Sequence, residues 1–407
     1  MKVSKKRLLA ALGVLVAVAM MSTGCGSSTS STGSTTGGST GGATEVKIGI
    51  GAPLTKGAVA LGQGMVRGAQ QAIDEANASE TVKAAGIKFT AVPGDDQGDA
   101  TAGGNIAQTF SSAPALVGVM GHLNSGVSIP ASKIYSRAKI VMISPASTNP
   151  ALTLQGLTNT FRVCTTDEIQ GKFAADAAFK DFSKKTAYVV DDSTPYGEGL
   201  AKFFAQYFAA AGGKVIATAK TKDSATDFSA LVTTMTAATP DVIYYGGIYN
   251  AGALLAKQSK GQGMTAPLMG GDGIYDPQFI KLAGTAESEG DLCTSVGYPL
   301  ADAPGGAAFL AAYKVKYPGQ DPAAYDAYSY DAANVIIAAV VKAAGEVGVA
   351  NVTGSTGRDA IIKDVAATNI VGVTGPIAFD PKGDTTNKVI SAYQVKAGVW
   401  TPYKPAK

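Results

Sequence analysis

Short apolar, β-branched runs alternate with longer amphipathic stretches from Glu45 to the end of the chain. The short runs predict strands at residues 46–52, 88–93, 116–121, 141–144, 186–191, 215–218, 242–246 and 267–270. The longer stretches predict helices at residues 62–76, 101–112, 127–136, 169–182, 198–211, 228–237, 252–262, 306–317, 328–345 and 357–367, and a turn around residues 381–384 predicts a terminal hairpin. Strands that alternate with helices are typical of parallel sheets covered by helices on both faces, so the pattern predicts an α/β protein.

The order of these elements favours two sheets over one. About four strand–helix units precede Arg162, and a second series starts at Thr186. In open parallel sheets, ligands bind outside the carboxyl ends of the strands. Two facing sheets therefore place a ligand in the cleft between them.

The first 44 residues are predicted to be an export and anchoring segment. Residues 1–7 are basic and residues 8–21 are apolar, as in a secretory signal peptide. The next four residues, 22–25, resemble the lipobox of bacterial lipoproteins, although Ser22 stands where that motif usually has leucine. We expect residues 1–24 to be removed and Cys25 to be acylated; an ordinary signal peptide with an incidental cysteine is the alternative. Residues 25–44 would form a flexible tether, since 26–44 contain only Gly, Ser, Thr and Ala. This predicts an extracytoplasmic protein attached to the membrane by lipid.

Charge and composition exclude several function classes. The net charge of +3 depends on four basic residues among the first seven, and no later Lys/Arg cluster carries interleaved aromatic residues. Nucleic acid is therefore not an expected partner. One histidine and three cysteines supply no recognisable metal-ligand spacing, and no cofactor is expected. Outside the cytoplasm Cys164 and Cys293 could form a disulfide, with two buried thiols as the alternative.

Loops at the predicted strand ends carry the candidate binding chemistry. Residues 122–126 and 145–149 bring hydroxyl groups and backbone N–H groups to the starts of following segments, which suits a carboxylate, although helix capping alone would use the same residues. Asp191, Asp192 and Asp272 also follow strands and could hold an ammonium group; for the first two we favour turn formation.

His122 has no nucleophile at a known spacing, so we favour a loop histidine whose ring is hydrogen-bonded within the protein over a general base. The glycines at 62, 64 and 68 do not have dinucleotide-binding spacing.

Several motifs, taken in order along the chain, resemble those of the leucine/isoleucine/valine-binding proteins of ABC transporters. They span about residues 46–400 and comprise IGIGAPLT at 48–55, GHL at 121–123 with Ser125, PAS at 130–132, ISPAST at 143–148, YGEGLA at 196–201, DFS at 227–229, YYGG at 244–247 and GPIAFD at 375–380. The resemblance implies a type I periplasmic-binding-protein fold, in which two doubly wound parallel-sheet lobes are joined by a three-strand hinge. The corresponding lobes here would be residues 45–165 with 298–389, and residues 166–297 with 390–407.

The resemblance also implies a set of ligand-binding residues. One lobe would hold the α-carboxylate of an amino acid, and the other would hold its α-ammonium through Asp272, with Tyr196 and Ile248 beside the ligand and Tyr325 near the pocket wall. The carboxylate group comprises Ser125, Ala146, Ser147 and Thr148. Leu61 and Ile248 stand where relatives often have aromatic rings, and Asn124 replaces a cysteine found in some of them.

The sequence therefore predicts a monomeric solute-binding lipoprotein of an ABC importer, without enzymatic activity, that delivers a branched-chain or other aliphatic amino acid to a membrane permease. A short-chain amide, urea or a small aromatic carboxylate is the alternative ligand. A cell-surface α/β enzyme that uses His122 is the alternative from another class.

Overall fold

Two mainly parallel sheets form the framework of the protein in a computed structural model that describes residues 42–403. The strands are β1 (Thr44–Ala52), β2 (Ile87–Asp95), β3 (Leu116–Gly121), β4 (Val141–Ser144), β5 (Thr160–Arg162), β6 (Thr186–Asp191), β7 (Lys214–Lys220), β8 (Val242–Gly246), β9 (Leu268–Gly270), β10 (Leu292–Val296), β11 (Asn369–Gly372), β12 (Gly375–Ala378), β13 (Ile390–Lys396) and β14 (Val399–Pro402). The α-helices are α1 (Val59–Ala78), α2 (Glu80–Ala84), α3 (Ala100–Ser112), α4 (Ser125–Arg137), α5 (Asp167–Asp176), α6 (Pro195–Ala210), α7 (Ser229–Ala238), α8 (Tyr249–Gly261), α9 (Pro277–Ala283), α10 (Thr285–Ser288), α11 (Gly306–Lys316), α12 (Asp326–Val347) and α13 (Ser355–Ala366).

The first sheet, sheet A, has the strand order β2-β1-β3-β4-β5, and all of its pairings are parallel. β3 and β4 are buried along their whole length, as their continuous apolar sequences predict. Parallel pairing brings the carboxyl ends of β3 and β4 to one edge. The loops that follow these two strands therefore lie next to each other.

The second sheet, sheet B, has the order β14-β13-β10-β9-β8-β6-β7. Strands β6 to β10 pair in parallel, whereas β13 runs antiparallel to β10 and β14 antiparallel to β13. Between β10 and β13 the chain returns to sheet A, where α12 packs on α1, β3 and β4. The chain thus passes between the two sheets three times: after β5, after β10 and before β13. The prediction of an α/β protein with two mainly parallel sheets is confirmed in this arrangement.

Gly64 and Gly68 allow the close packing of α1 on α12, and Gly62 allows α1 to pack on Pro53. A Cβ at Gly68 would lie 1.9 Å from the carbonyl oxygen of Asp326, and one at Gly64 would lie 2.1 Å from its carboxylate. Gly62 meets Pro53 in the same way, with 2.0 Å between an added Cβ and the Pro53 carbonyl oxygen. Their spacing thus serves helix packing.

The structure differs from the predicted elements near the C-terminus. Residues 381–384 form a turn closed by a single antiparallel bridge between Phe379 and Thr385, so the hairpin predicted there is wrong. The hairpins lie on either side, as β11–β12 and β13–β14. β11 and β14 have four residues each and stay largely exposed, so their sequences carry little of the apolar pattern that marks a strand.

The predicted signal peptide, Cys25 and most of the tether lie outside the described residues. Thr44, predicted to end the tether, is instead the first residue of β1 and pairs with Ile87. Within residues 42–403, none of the helices has both the length and the apolar character needed to cross a membrane.

Candidate functional site

Two loops of sheet A meet at the carboxyl ends of β3 and β4. Ser125 begins α4 and is 1% exposed, and its hydroxyl oxygen accepts a hydrogen bond from the backbone N–H of Asn149 at 3.3 Å. Thr148 is fully buried, and its hydroxyl has no hydrogen-bond partner among the described residues. The two hydroxyl groups thus belong to adjoining loops, and Thr148 has hydrogen-bonding capacity left for a ligand.

Ser147 has a different role from Thr148. Its hydroxyl donates to the carbonyl oxygen of Leu123 at 2.9 Å and lies 2.6 Å from the hydroxyl of Ser128. Its backbone N–H donates to the hydroxyl oxygen of Ser144 at 2.9 Å. Ser147 therefore joins the two loops through its side chain, and its polar groups are already used inside the protein.

Arg162, at the end of β5, stabilises the loop after β4 through hydrogen bonds to its backbone. It is fully buried, and its Nη1 donates to the carbonyl oxygens of Ser147 and Asn149, each at 2.9 Å. Its Nη2 donates to the hydroxyl of Thr153 at 2.7 Å. A lone arginine in an apolar strand was a signal available in the sequence, but its partners are set by the fold.

Asp272 stands on the other side of the site, directly after β9 of sheet B. Its carboxylate accepts hydrogen bonds from the hydroxyl of Tyr196 at 2.8 Å and from that of Tyr325 at 2.6 Å. The side chain is fully buried, and burial raises the pKa of Asp272 while the two tyrosines oppose that rise. Tyr196 also accepts from the backbone N–H of Gly273 at 3.0 Å.

A second buried carboxylate, Asp167, was not predicted from the sequence. It begins α5, and its backbone N–H donates to the carbonyl oxygen of Thr148 at 2.9 Å. Neither carboxylate oxygen has a hydrogen-bond partner among residues 42–403, although the Thr148 hydroxyl faces the group. Burial, with Asp272 nearby, raises the pKa of Asp167 to about 8. Asp167 is thus a fully buried acid near Thr148 and Asp272, and a nearby cationic group would stabilise its ionised form.

Several predicted site residues line a small cavity that has about 280 Å³ of empty space and is partly open to solvent. Its lining comprises Leu61, Leu123, Asn124, Ser125, Ala146, Tyr196, Ile248, Gly273 and Tyr325. Five of the predicted ligand-binding residues are in this lining, namely Ser125, Ala146, Tyr196, Ile248 and Tyr325. Ser147, Thr148 and Asp272 do not line the cavity. Asp272 is hydrogen-bonded to two residues that do, Tyr196 and Tyr325.

Two hydrogen bonds connect the two sides of the cavity. The Tyr249 hydroxyl accepts from the backbone N–H of Ala60 at 3.3 Å, and Nδ2 of Asn149 donates to the carbonyl oxygen of Pro195 at 2.6 Å. A larger apolar crevice with about 990 Å³ of empty space lies near Tyr298 and Trp400, but no predicted site residue lines it. The small cavity, which five predicted site residues line, is therefore the candidate ligand site.

His122 is not placed to act as a catalytic base. The ring is fully buried; its Nδ1 lies 2.7 Å from Oδ2 of Asp96 and its Nε2 lies 2.9 Å from the Tyr135 hydroxyl. Both ring nitrogens are thus engaged away from the cavity.

Asp191 and Asp192 accept from the backbone N–H groups of Ser193 and Thr194, at 2.9 and 3.0 Å, which is the turn role favoured for them. Within residues 42–403 no cluster of His, Cys, Asp and Glu could hold a metal ion.

The predicted disulfide is not formed, because Cys164 and Cys293 are both free, buried thiols. Cys164 follows β5 of sheet A, and its Sγ lies 3.7 Å from the carbonyl oxygen of Ser147. Cys293 lies within β10 of sheet B and pairs in register with Tyr393. The cysteines thus belong to different sheets, and burial raises the pKa of both thiols above its ordinary value.

Comparison with known proteins identifies the family. A sequence profile described as "Periplasmic binding protein" matches residues 45–399. The chain belongs to this family. The chain is also 35% identical over 340 residues to "Leu/Ile/Val-binding protein homolog 1" of Brucella abortus (strain 2308), an alignment that covers 84% of this chain and 87% of that protein.

Solved structures of the family have the same fold. The leucine-binding protein LivK from Thermotoga maritima is 31% identical with a TM-score of 0.79, and the match covers 88% of this chain and 98% of that one. The substrate-binding protein LivJ from Streptococcus pneumoniae, solved with isoleucine, is 24% identical with a TM-score of 0.76, and the match covers 88% of this chain and 100% of that one. The resemblance drawn from the sequence motifs is therefore confirmed.

Proposed function

We propose that this periplasmic binding protein is the receptor of an ABC importer for an aliphatic α-amino acid, most of all one with a branched side chain. The observation that carries the proposal is the position of the fully buried Asp272, held by Tyr196 and Tyr325 across the cavity from Ser125. A free amino acid is a zwitterion, and this site offers hydroxyl donors on one side and a carboxylate on the other. The names of the relatives in Brucella and Thermotoga support an amino acid of this kind.

The carboxylate of the ligand would be bound by sheet A. The hydroxyls of Ser125 and Thr148 can donate to it. Ser147 contributes by fixing the loop, since its own hydroxyl is bonded to Leu123. Hydrogen bonds to a charged acceptor are about twice as strong as neutral ones, so two of them give this end of the ligand a defined position.

The ammonium group would be bound by two acids. Asp272 offers a carboxylate already oriented by two tyrosines, and Asp167 offers one whose oxygens have no partner. The ammonium charge favours the ionised form of both acids, which burial otherwise disfavours. The side chain of the ligand would contact Leu61, Leu123 and Ile248, which make that part of the cavity aliphatic.

Binding and closure are coupled because the two ends of the zwitterion have their partners on different sheets. A ligand would satisfy both only when the predicted lobes, residues 45–165 with 298–389 and residues 166–297 with 390–407, come together. The hydrogen bond from Asn149 to Pro195 and that from Ala60 to Tyr249 would then form as well. The closed receptor, acting as a monomer, would deliver its ligand to a membrane permease without chemical change.

A fragment of residues 42–407 would be unfolded, refolded without ligand and titrated calorimetrically. The ligands would be leucine, isoleucine, valine, phenylalanine, isocaproate, a short amide, urea and benzoate. We expect the aliphatic amino acids to bind and isocaproate, which lacks the ammonium group, to fail. Asp272→Asn should weaken leucine binding at least tenfold. Binding of isocaproate, an amide or benzoate alone would overturn the amino-acid ligand and leave a receptor.

Attachment to the membrane through Cys25 is part of the same proposal. It rests on the basic and apolar leader and on the polar segment 26–44. Cells that express the full chain would be fed a radiolabelled fatty acid, and the label should appear on the wild-type protein and be absent from Cys25→Ser. Label on both proteins, or on neither, would refute acylation at this residue.

A further inference from the structure

Three buried side chains form a hydrogen-bonded chain at the carboxyl edge of sheet A. Asp96 follows β2, His122 follows β3 and Tyr135 lies on α4, and all three are fully buried. Nδ1 of His122 lies 2.7 Å from Oδ2 of Asp96, and its Nε2 lies 2.9 Å from the Tyr135 hydroxyl. The backbone N–H of Gly98 donates to Oδ1 of Asp96 at 2.9 Å. Because the carboxylate and both ring nitrogens have partners, this network holds the His122 ring in one arrangement.

Strand β1, which lies between β2 and β3 in sheet A, leaves room for the His122 ring. An added Cβ at Gly51 of β1 would lie only 2.4 Å from Cε1 of His122, so the ring packs directly on the backbone of this strand. The backbone N–H of Asp96 donates to the carbonyl oxygen of Ala52, at the end of β1, at 3.0 Å. His122 is therefore fixed with respect to β1, β2 and α4 together.

The backbone of His122 connects this network to both loops of the candidate site. Residues 123–125, which follow it directly, all line the cavity. Its carbonyl oxygen accepts a hydrogen bond from the hydroxyl of Ser144, at the end of β4, at 2.8 Å. The Ser144 hydroxyl oxygen in turn accepts from the backbone N–H groups of Ser147 at 2.9 Å and Ala146 at 3.3 Å. One residue outside the cavity is thus joined to the loop after β3 and to the loop after β4.

We propose that His122 is a positioning residue for the carboxylate of the ligand. Its ring, held by Asp96 and Tyr135, sets the position of residues 123–125, and its bond from Ser144 sets the loop after β4 against them. The ring itself does not touch the ligand. This inference rests on the proposed function, because that function places the ligand carboxylate at these two loops.

Ser144→Ala tests the link between His122 and the loop after β4, and it leaves the bonds of the ring in place. The full chain, purified in detergent and freed of ligand by refolding, would be titrated calorimetrically with leucine. We expect binding about five- to tenfold weaker than in the wild-type protein, which is the effect of one hydrogen bond. Ser132→Ala is the matched control: Ser132 is also fully buried, and its hydroxyl donates to the Ile129 carbonyl oxygen at 2.9 Å away from the cavity. This control should bind leucine within about twofold of the wild-type protein.

Tyr135→Phe tests the ring, because it removes the partner of Nε2 and keeps the shape of the side chain. Leucine binding should again weaken several-fold. Tyr317→Phe is its control, since the Tyr317 hydroxyl donates to the Arg67 carbonyl oxygen at 2.9 Å and does not line the cavity. Every variant would also be titrated with leucinol, in competition with leucine. Leucinol keeps the ammonium group and has a hydroxyl in place of the carboxylate, so Ser144→Ala and Tyr135→Phe should weaken leucine binding more than leucinol binding.

The two ligands separate positioning from a general effect on folding or closure, which would weaken both equally. Equal losses for leucine and leucinol would refute the positioning role and leave the proposed function standing. Leucine affinity within twofold of wild type in both Ser144→Ala and Tyr135→Phe would refute it as well. If the wild-type protein binds no amino acid, the proposed function fails and this inference fails with it.

Discussion

Arg162 and Asp384 form a partly buried ion pair in which the Nε of Arg162 lies 2.5 Å from Oδ1 of Asp384. Asp384 lies in the segment that leads to β13, and Arg162 lies at the end of β5. The pair therefore ties together two of the three places where the chain passes between the sheets. Because the same arginine also holds the carbonyl oxygens of Ser147 and Asn149, the hinge region and the proposed carboxylate loop share one anchor.

Arg162→Met is expected to lower the free energy of unfolding by about 3–5 kcal/mol, because it leaves a partly buried carboxylate and two carbonyl oxygens without their donor. Urea denaturation of residues 42–407 measures this. The matched control is Lys139→Met, since Lys139 pairs with Asp359 at 2.7 Å on an exposed surface and should contribute less than about 1 kcal/mol. Equal effects of the two substitutions would contradict the role of Arg162.

Asp167 should make the unliganded protein less stable as the pH rises. Its pKa of about 8 in the folded state lies above the ordinary value of 3.8, so between these pH values the folded protein binds more protons than the unfolded protein does. The free energy of unfolding then falls with rising pH, by up to about 1.4 kcal/mol per unit for this group. Asp167→Asn should flatten that slope in urea titrations between pH 5 and pH 8.

The same substitution should have the opposite effect on binding. An ammonium group favours the ionised carboxylate, so leucine binding near pH 7 should release a proton from wild-type protein, and Asp167→Asn should bind leucine more weakly and release fewer protons. Calorimetry in two buffers of different ionisation enthalpy counts the protons. Unchanged proton release in the variant would show that Asp167 does not meet the ligand.

Gly68→Ala should destabilise the packing of α1 on α12. The added Cβ would lie 1.9 Å from the Asp326 carbonyl oxygen, and moving the helices apart should cost about 1–3 kcal/mol. Gly104→Ala in α3 is the control, because an added Cβ there meets nothing within 4 Å and should stabilise the helix by about 0.5–1 kcal/mol. Thermal unfolding compares the two, and a stabilised Gly68→Ala would contradict the packing described.

Cys164 and Cys293 should resist alkylation in the folded protein. Both are buried and protonated, and the thiolate is the reactive form. Mass spectrometry of residues 42–407 should find no adduct under native conditions and two adducts after unfolding without reductant. If adducts appear only after a reductant is added, the two cysteines are bonded.

The sequence predicted β1 to β4 of sheet A well, because strands such as β3 and β4 are buried throughout and carry apolar runs. It also placed Ser125 and Ala146 on loops that meet. Asp167 escaped prediction because an acid in the first turn of a helix is ordinary, and only the tertiary structure reveals that its oxygens lack partners. The predicted disulfide between Cys164 and Cys293 was wrong. Whether two distant cysteines come close enough to bond depends on how the two sheets pack, and only the tertiary structure shows that.

The path of the chain between the two sheets also sets the order in which the protein can fold during synthesis. β13 and β14, which end at Pro402, complete the edge of sheet B, and α12 covers sheet A although it begins only at Asp326. Neither half can bury its core until the last quarter of the chain has been made, because late segments supply part of both. Contacts this distant in sequence slow folding. We therefore expect both cores to form only late in synthesis, which would keep the chain competent for export across a membrane as an extended polypeptide.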